Sequence, residues 1–211
     1  MKLLLSPGPR WRGALVCSEP HRYGFLLTAG GSRAIPADYS GDIGVDNGCF
    51  SGFREAEFRR LLGYAQKYRR LTRFVAAPDV VADDAATLAL FDSWRQVIRE
   101  QYQLPIALVL QDGMTRLDIP WRSLDAVFVG GSTEWKLSRI AEELIREAQQ
   151  RGKWVHVGRV NTRCRITRFR ELSVDSIDGT GFNIWSNRLL DYERWMRQEL
   201  LFAGLNSENR F

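Results

Sequence analysis

Carboxylate and amide side chains recur at the ends of short apolar runs in this sequence. Asp46, Asp79 and Asp178 each close such a run, and Gln111 closes another. Several carboxylates in one site can divide nucleophilic and proton-transfer roles between them. Asp and Gln side chains can also pair with the donor and acceptor edges of a planar heterocycle. If these four side chains meet, the sequence predicts a site for acid–base or covalent chemistry on such a ring.

Eight apolar runs have the length and composition of short β-strands. They are Leu3–Leu5, Tyr23–Thr28, Ile43–Val45, Phe74–Ala77, Ile106–Leu110, Ala126–Val129, Trp154–Val157 and Val174–Asp178. The later runs alternate with helical periodicity, which predicts parallel strands joined by right-handed crossovers. We predict an α/β protein, a compact TIM-like (β/α)8 barrel in one domain over residues 1–211. A doubly wound open sheet fits the same periodicity.

The helical segments are marked by caps and by apolar residues at 3.6-residue spacing. One runs from Phe58 to Tyr68, and a second begins near Asp83 or Asp84 and ends before Pro105. Thr133 is the predicted N-cap of a single helix that ends at Gly152. Two further predictions are one helical turn or a loop over Trp11–Cys17 and a last amphipathic helix over Leu189–Leu200. In either architecture, the functional residues are expected at the carboxyl ends of the strands.

Each candidate residue also has a simple structural interpretation. Asp79 after Pro78 fits a turn, and Gln111-Asp112-Gly113 and Asp178-Gly179 are ordinary turn sequences. What favours a functional site is their repetition at successive strand ends.

The charge distribution favours a polyanionic partner. The formal net charge is +5, and the densest basic run contains Arg159, Arg163, Arg165, Arg168 and Arg170. Such a run can hold phosphates, although a solvated helix face has the same composition. Trp135 and Trp185, beside strand ends, are candidates for stacking on a base.

Other classes of site and location are disfavoured by composition. Cys17, Cys49 and Cys164 lie far apart, and His21 and His156 have no companion at metal-ligand spacing. We therefore expect no metal site, and both histidines are interpreted as surface or packing residues. No apolar run approaches the roughly 20 residues of a membrane helix, and the N-terminal run is too short for a signal peptide. A cytoplasmic protein is the expectation.

Short motifs follow the strands in a fixed order. They are Asp46-Asn47-Gly48-Cys49-Phe50, Asp79, Val109-Leu110-Gln111-Asp112-Gly113, Gly130-Gly131, Val155-His156-Val157-Gly158 and Ser176-Ile177-Asp178. In order and spacing they resemble the motifs of the tRNA-guanine transglycosylases, and more closely those of relatives that insert 7-deazaguanines into DNA. The first is similar to the family's Asp-Ser/Asn-Gly-x-Phe segment, and the last to the strand that carries its nucleophile. The resemblance covers an active-site core at about residues 43–182.

The resemblance implies a base-exchanging transglycosylase. Asp178 would attack the anomeric carbon of a nucleoside to form a covalent glycosyl–enzyme, and Asp46 would handle the proton of the departing and incoming bases. Exchange with retention needs two such displacements. The residues implied to hold the heterocycle are Asn47, Phe50, Asp79, Gln111, Gly130 and Gly131. Those that would hold phosphates are Arg159, Arg163, Arg165 and Arg168.

The departures from the family bear on the substrate. The tRNA enzymes carry a zinc site of three cysteines and one histidine, which this sequence cannot form, and they are longer. The resemblance therefore implies no cofactor and favours DNA over tRNA, with a 7-deazaguanine such as preQ0 or preQ1 as the incoming base. The sequence leaves open the target sequence, the oligomeric state and the need for a helper protein.

Two other functions fit parts of the same pattern. A barrel that binds nucleic acid without catalysis would use the arginines, and its binding would not depend on the carboxyl group of Asp178. A small-molecule barrel enzyme would use Gly130-Gly131 before a helix as a phosphate cup, because free N–H groups at a helix start bind anions. It would bind a phosphorylated metabolite without any polynucleotide.

Overall fold

The structure, a computed structural model, describes residues 1–184 and 187–196. Within this part of the chain, eight parallel strands form a closed barrel in sequence order, with the last strand paired to the first. The strands are β1 (Lys2–Leu5), β2 (Tyr23–Thr28), β3 (Ile43–Asp46), β4 (Thr72–Ala76), β5 (Ile106–Leu110), β6 (Ala126–Val129), β7 (Trp154–Val157) and β8 (Ser176–Asp178). The predicted compact (β/α)8 barrel is confirmed, and the open sheet is excluded by closure.

Helices surround most of the barrel. They are α1 (Arg10–Ser18), α2 (Glu55–Ala65), α3 (Asp84–Gln96), α4 (Thr133–Lys136), α5 (Arg139–Gln150), α6 (Arg163–Glu171) and α7 (Thr180–Ile184), and residues 187–196 are also helical. The α3 helix is capped by Asp83, whose side chain accepts from the Ala86 N–H group, and continues as a π-helical turn over Val97–Gln101. The predicted final helix extended to Leu200, and residues 197–200 lie outside the described residues.

One predicted helix is two helices in the structure. Ser132, not Thr133, caps α4, with its side chain accepting from the Trp135 N–H group. The α4 helix ends at Lys136. A second helix, α5, then begins after Ser138, whose side chain accepts from the Ala141 N–H group. The prediction of a single Thr133-capped helix was therefore wrong. Serine competes well for backbone N–H groups, so two serines close together in sequence can start two helices.

The first connection departs from the prediction, and the second follows it. Residues Arg10–Ser18 form a helix of nine residues, where the sequence predicted one turn or a loop. No helix joins β2 to β3, as the irregular composition of residues 29–41 predicted. In this connection Tyr39 packs against the strands of the barrel. Its buried ring lies edge-on to Phe25, with the ring centroids 4.8 Å apart. Its hydroxyl donates to the Asp42 carbonyl oxygen at 2.7 Å.

The barrel has a small interior that is separate from the larger core under the helices. The interior apolar cluster consists of Leu4, Leu26, Phe74, Ala107 and Ala126, with Phe128 and Trp154 packed against it. Phe74 fills much of the space, and Gly44 on the neighbouring strand leaves room for it. A Cβ atom at Gly44 would overlap the Phe74 ring.

Alternation along the strands decides which residues reach the barrel mouth. Side chains at i and i+2 of a strand point to the same side. The inward row of β3 contains Gly44 and ends at Asp46, and the inward row of β8 runs from Ser176 to Asp178. Parallel register places Asp178 beside Leu4 of β1, another interior residue. The carboxyl ends of the strands therefore bring their last inward side chains to one place.

Candidate active site

The side chains singled out at the strand ends line one cavity. It has a volume of about 310 Å³ and lies at the carboxyl-terminal mouth of the barrel. Nine of the predicted site residues line it: Asp46, Asn47, Phe50, Asp79, Gln111, Gly130, Gly131, Arg159 and Asp178. A larger groove of about 510 Å³ lies on the outer surface along α3, and it contains none of them. Convergence of polar groups, not volume, identifies the candidate site.

Asp46 ends β3 with its carboxyl group in the cavity. Its Oδ1 atom accepts a hydrogen bond of 3.1 Å from the Gly48 N–H group. Burial, together with the nearby charges of Asp178 and Asp79, raises the pKa of Asp46 to about 6 despite that bond. A carboxyl group with this pKa can both release and accept a proton near neutral pH.

Asp79 is held by two amide side chains. Asn47 Nδ2 donates to Asp79 Oδ1 at 2.7 Å, and Gln111 Nε2 donates to Asp79 Oδ2 at 2.6 Å. Asn47 and Gln111 are both buried, and burial raises the pKa of Asp79 even though these bonds oppose the change. The two amides therefore fix the orientation of the Asp79 carboxyl group at the cavity.

The glycine turn after β6 has no free amide group to offer. Gly130 N donates to the last carbonyl group of β5, and Gly131 N donates to Gln111 Oε1 at 3.2 Å. The Ser132 N–H and hydroxyl groups both donate to the Asp112 carboxylate. The N–H groups of Gly130 and Gly131, predicted to bind an anion, thus already donate to oxygen atoms of the protein. What the glycines contribute is space, since a Cβ atom at Gly131 would lie 2.7 Å from Asp112 Oδ2.

Asp178 ends β8, and its side chain is 13% exposed. The Arg159 N–H group donates to Asp178 Oδ1 at 3.2 Å, and His156 Nε2 lies 3.1 Å from the same oxygen. Its Oδ2 atom makes no hydrogen bond to any residue in the part of the chain that the structure describes. One carboxylate oxygen of Asp178 therefore has two hydrogen-bond partners, the other has none among the described residues, and the residue lines the cavity.

His156 is the functional candidate that sequence reasoning missed. The expectation of a surface or packing residue fits both histidines, because His21 is exposed and His156 is fully buried and packed between Phe74 and Phe128. It also contacts Asp178 directly. The contact between His156 and Asp178 follows from strand pairing, because β7 and β8 are neighbours and the register pairs His156 with Ser176, two residues before Asp178.

Arg159 and Phe50 form the rim of the cavity. The Arg159 guanidinium lies over the Phe50 ring, 4.7 Å from its centroid, and donates to the Gly131 carbonyl oxygen. Arg159 has a φ of +60°, a conformation uncommon outside glycine and often found where surrounding contacts hold a site residue. Phe50 is 69% exposed, so the pair places an aromatic ring and a cation at the mouth of the cavity.

The other predicted phosphate-binding arginines lie on α6, outside the cavity lining. Arg163 is exposed, and Arg165 Nη1 donates to the Arg159 carbonyl oxygen at 3.3 Å. Arg168 forms an ion pair with Glu142 of α5, so its charge is already matched within the protein. Of the two stacking candidates, Trp135 is buried beneath the glycine turn. Trp185 lies outside the described residues.

Further polar side chains reach the cavity from the ends of β1 and β2 and from α7. Thr28 of β2, Ser6 after β1, and Thr180 and Asn183 of α7 line it. Asn183 Oδ1 accepts a hydrogen bond of 2.9 Å from Ser6 N, which ties α7 to the end of β1. Small polar residues in turns carry little signal in a single sequence, and for that reason they were not predicted.

Neither a metal cluster nor a membrane-spanning helix is found among the described residues. Residues 1–184 and 187–196 contain no group of three or more His, Cys, Asp or Glu side chains arranged to hold a metal ion. Within the same ranges, no helix has the length and apolar character needed to cross a bilayer. Comparison with models of protein families gives no match, and comparison with curated protein sequences gives none.

Proposed function

We propose that this protein is a base-exchanging transglycosylase, which replaces guanine in nucleic acid with a 7-deazaguanine such as preQ0 or preQ1. The substrate is proposed to be DNA rather than tRNA. The observation that carries the proposal is the set of three acids around one cavity, each in a different environment. Asp178 has an oxygen without a partner among the described residues, Asp46 has a pKa of about 6, and Asp79 is held by two amides. These environments suit a nucleophile, a proton carrier and a base-recognition group.

In the first displacement, Asp178 Oδ2 attacks C1′ of the target nucleoside. The bond from C1′ to N9 of guanine breaks, and its electron pair leaves with the base. Asp46 in its protonated form supplies the proton that neutralises the departing guanine. The product is a glycosyl ester on Asp178 with inverted configuration at C1′, and this is the covalent intermediate of a retaining mechanism.

In the second displacement, the incoming 7-deazaguanine gives its N9 proton to Asp46. N9 then attacks C1′ from the side that guanine left, and the ester bond to Asp178 breaks with its electron pair returning to the carboxylate. Two inversions give net retention, and the proton balance closes because Asp46 has returned to its starting state. A pKa near 6 serves this cycle, since the same group must donate and accept.

The cavity accommodates a base, while the polynucleotide lies outside it. A volume of about 310 Å³ is near the lower end for small-molecule sites, about 300–1,000 Å³. A base within a duplex would have to be flipped out to reach Asp178. The rim formed by Phe50 and Arg159 is placed to stack on the flipped or flanking base, and the exposed Arg163 is available for the backbone phosphate.

The test is exchange of radiolabelled guanine out of DNA, with tRNA in parallel, in the presence of candidate 7-deazaguanines. Wild-type protein is compared with Asp178→Asn and with Asp118→Asn, a matched change at an exposed aspartate. We expect release from DNA by wild type and Asp118→Asn and none by Asp178→Asn. Mass spectrometry of the protein after quenching should find a glycosyl adduct on Asp178.

The other outcomes separate the alternatives. Release from tRNA alone would keep the chemistry and overturn the choice of DNA. DNA binding that is sensitive to salt and unchanged by Asp178→Asn, with no adduct, would indicate a binding module. Binding of a phosphorylated metabolite, with no effect of polynucleotide, would indicate a small-molecule enzyme.

A further inference from the structure

A continuous chain of hydrogen bonds lies directly beneath Asp178, inside the barrel. Trp154 Nε1 donates to Ser176 Oγ at 3.0 Å, and Ser176 Oγ lies 2.9 Å from His156 Nδ1. His156 Nε2 then lies 3.1 Å from Asp178 Oδ1. His156 and Ser176 are both fully buried, so the two central groups of the chain are shielded from bulk solvent.

The indole at one end sets the direction of the whole chain. An indole N–H group can only donate, so the Ser176 oxygen must accept from Trp154. The Ser176 oxygen can accept a second bond, but its own hydroxyl proton is satisfied only when His156 Nδ1, its remaining neighbour among the described residues, accepts it. A neutral imidazole with Nδ1 as acceptor carries its proton on Nε2. That N–H group points at Asp178 Oδ1.

The imidazole ring is also fixed in orientation by its apolar neighbours. The ring centroids of Phe74 and Phe128 lie 4.8 Å and 4.7 Å from the centroid of His156. Rotation of the imidazole would require these packed rings to move, and protein interiors resist such movement. The donor at Nε2 is thus held in one place, which is what a group that orients another must provide.

We propose that His156 is the positioning residue for Asp178 and that it selects Oδ2 as the reacting oxygen. This inference rests on the proposed transglycosylase function. Oδ1 is held by the Nε2–H group of His156 and by the Arg159 N–H group, which fixes the carboxylate plane and directs Oδ2 into the cavity. After attack, Oδ1 is the carbonyl oxygen of the ester. The same two donors then stabilise the charge that returns to the carboxylate in the second displacement.

The tautomer of His156 can be determined without measuring enzymatic activity. Long-range 1H–15N correlation spectra of protein with 15N-labelled histidine report which ring nitrogen carries the proton. His21, the other histidine in the sequence, is exposed and serves as an internal reference, and the spectrum of His156→Gln assigns the signals. We expect the Nε2–H tautomer of His156 at pH 7. The Nδ1–H tautomer or a doubly protonated ring would overturn the inference.

A second arm tests the positioning role with a pair of variants. His156→Gln retains an N–H donor near the position of Nε2, and His156→Leu removes it at similar size. We expect His156→Leu to lower kcat for base exchange by about 10- to 100-fold with little change in KM, by analogy with lost supporting partners of metal ligands. His156→Gln should recover most of that loss. An unchanged kcat in His156→Leu, or equal losses in both variants when both unfold at wild-type urea concentrations, would refute the role.

The two arms keep the two proposals apart. If wild-type protein exchanges no base but His156 is the Nε2–H tautomer, the proposed function fails and the assigned hydrogen-bond direction stands. If exchange and the Asp178 adduct are found but the tautomer is the other one, the function stands and the positioning inference fails.

Discussion

Replacing Asp46 with asparagine is expected to stabilise the protein above neutral pH. Folding does not need an acid at position 46, because an amide oxygen can accept the same Gly48 N–H bond that Oδ1 accepts in the wild type. The substitution Asp46→Asn therefore removes the charge and leaves the local contact in place. The charge is the costly part, since burial and the nearby Asp178 and Asp79 carboxylates oppose ionisation.

The size and sign of the effect follow from the pKa of Asp46. That pKa is about 6 in the folded protein, against the ordinary 3.8 expected in the unfolded chain. Between these pH values the folded state binds the additional proton, so the free energy of unfolding falls as pH rises. A difference of about two pKa units is worth about 3 kcal/mol. The stabilising effect of the protonated form is complete below about pH 4 and is lost above about pH 6.

The assay is urea unfolding of wild type and Asp46→Asn at pH values from about 4 to 8. The variant's gain in unfolding free energy should grow between about pH 4 and 6 and level off at about 3 kcal/mol. Asp118→Asn is a control with the opposite sign, because hydrogen bonds from Thr115 lower the pKa of Asp118. It should lose stability at neutral pH, and the loss should vanish in acid. A difference for Asp46→Asn that stays constant with pH, or a loss of stability in mild alkali, would refute the assigned cost of the charge.

Three further predictions concern packing, DNA binding and a buried cation. Gly44→Ala forces a Cβ atom into the Phe74 ring, and urea unfolding should show a loss of about 1–3 kcal/mol. Arg163→Ala should lower the slope of log DNA affinity against log salt by about one. Arg168→Ala should not, because its charge is paired across to α5. Burial lowers the pKa of Lys136 to about 8 from 10.5, so the unfolded chain binds the additional proton between these values. The free energy of unfolding should therefore rise by about 3 kcal/mol over that range, and the rise should be absent in Lys136→Met.

The strands were largely predictable because their signal is local. The bounds of β2, β5, β6 and β7 coincide with runs of apolar and β-branched residues in the sequence. Closure of the barrel was not decidable from periodicity, because it depends on the pairing of β8 with β1, elements at opposite ends of the described chain. Room for closure comes from interior glycines such as Gly44, and in a sequence such a glycine is equally consistent with a bulge or a bend.

Helix bounds were predicted less well where apolar periodicity was weak. The first helix, Arg10–Ser18, buries only Arg12 and Val16, so it has no apolar stripe to reveal it. Its buried arginine donates to backbone oxygens, since Nη1 donates to Ser6 O and Nη2 to Asn183 O. A contact such as that between Arg12 and Asn183, which are 171 positions apart, cannot be seen in a local pattern.

Strand-end reasoning found the acids of the site and missed the group beneath them. Asp46, Asp79 and Asp178 follow directly from the rule that carboxyl ends of parallel strands converge. His156 lies within β7 and not at its end, so the rule for strand ends does not single it out. A polar residue in the interior of a strand carries information only when the register of the neighbouring strand is also known.

The interior polar layer has a cost that indicates its purpose. His156 and Ser176 lie in a barrel interior otherwise filled by Leu4, Phe74 and Phe128, where burying an unpaired polar group costs about 1–3 kcal/mol. Apolar side chains of the same volume would avoid that penalty and fill the space equally well. Every link in the chain from Trp154 is instead satisfied, and the chain ends on one oxygen of Asp178. A fully connected polar layer that terminates on a single carboxylate orients that carboxylate, and packing alone gives no reason for it.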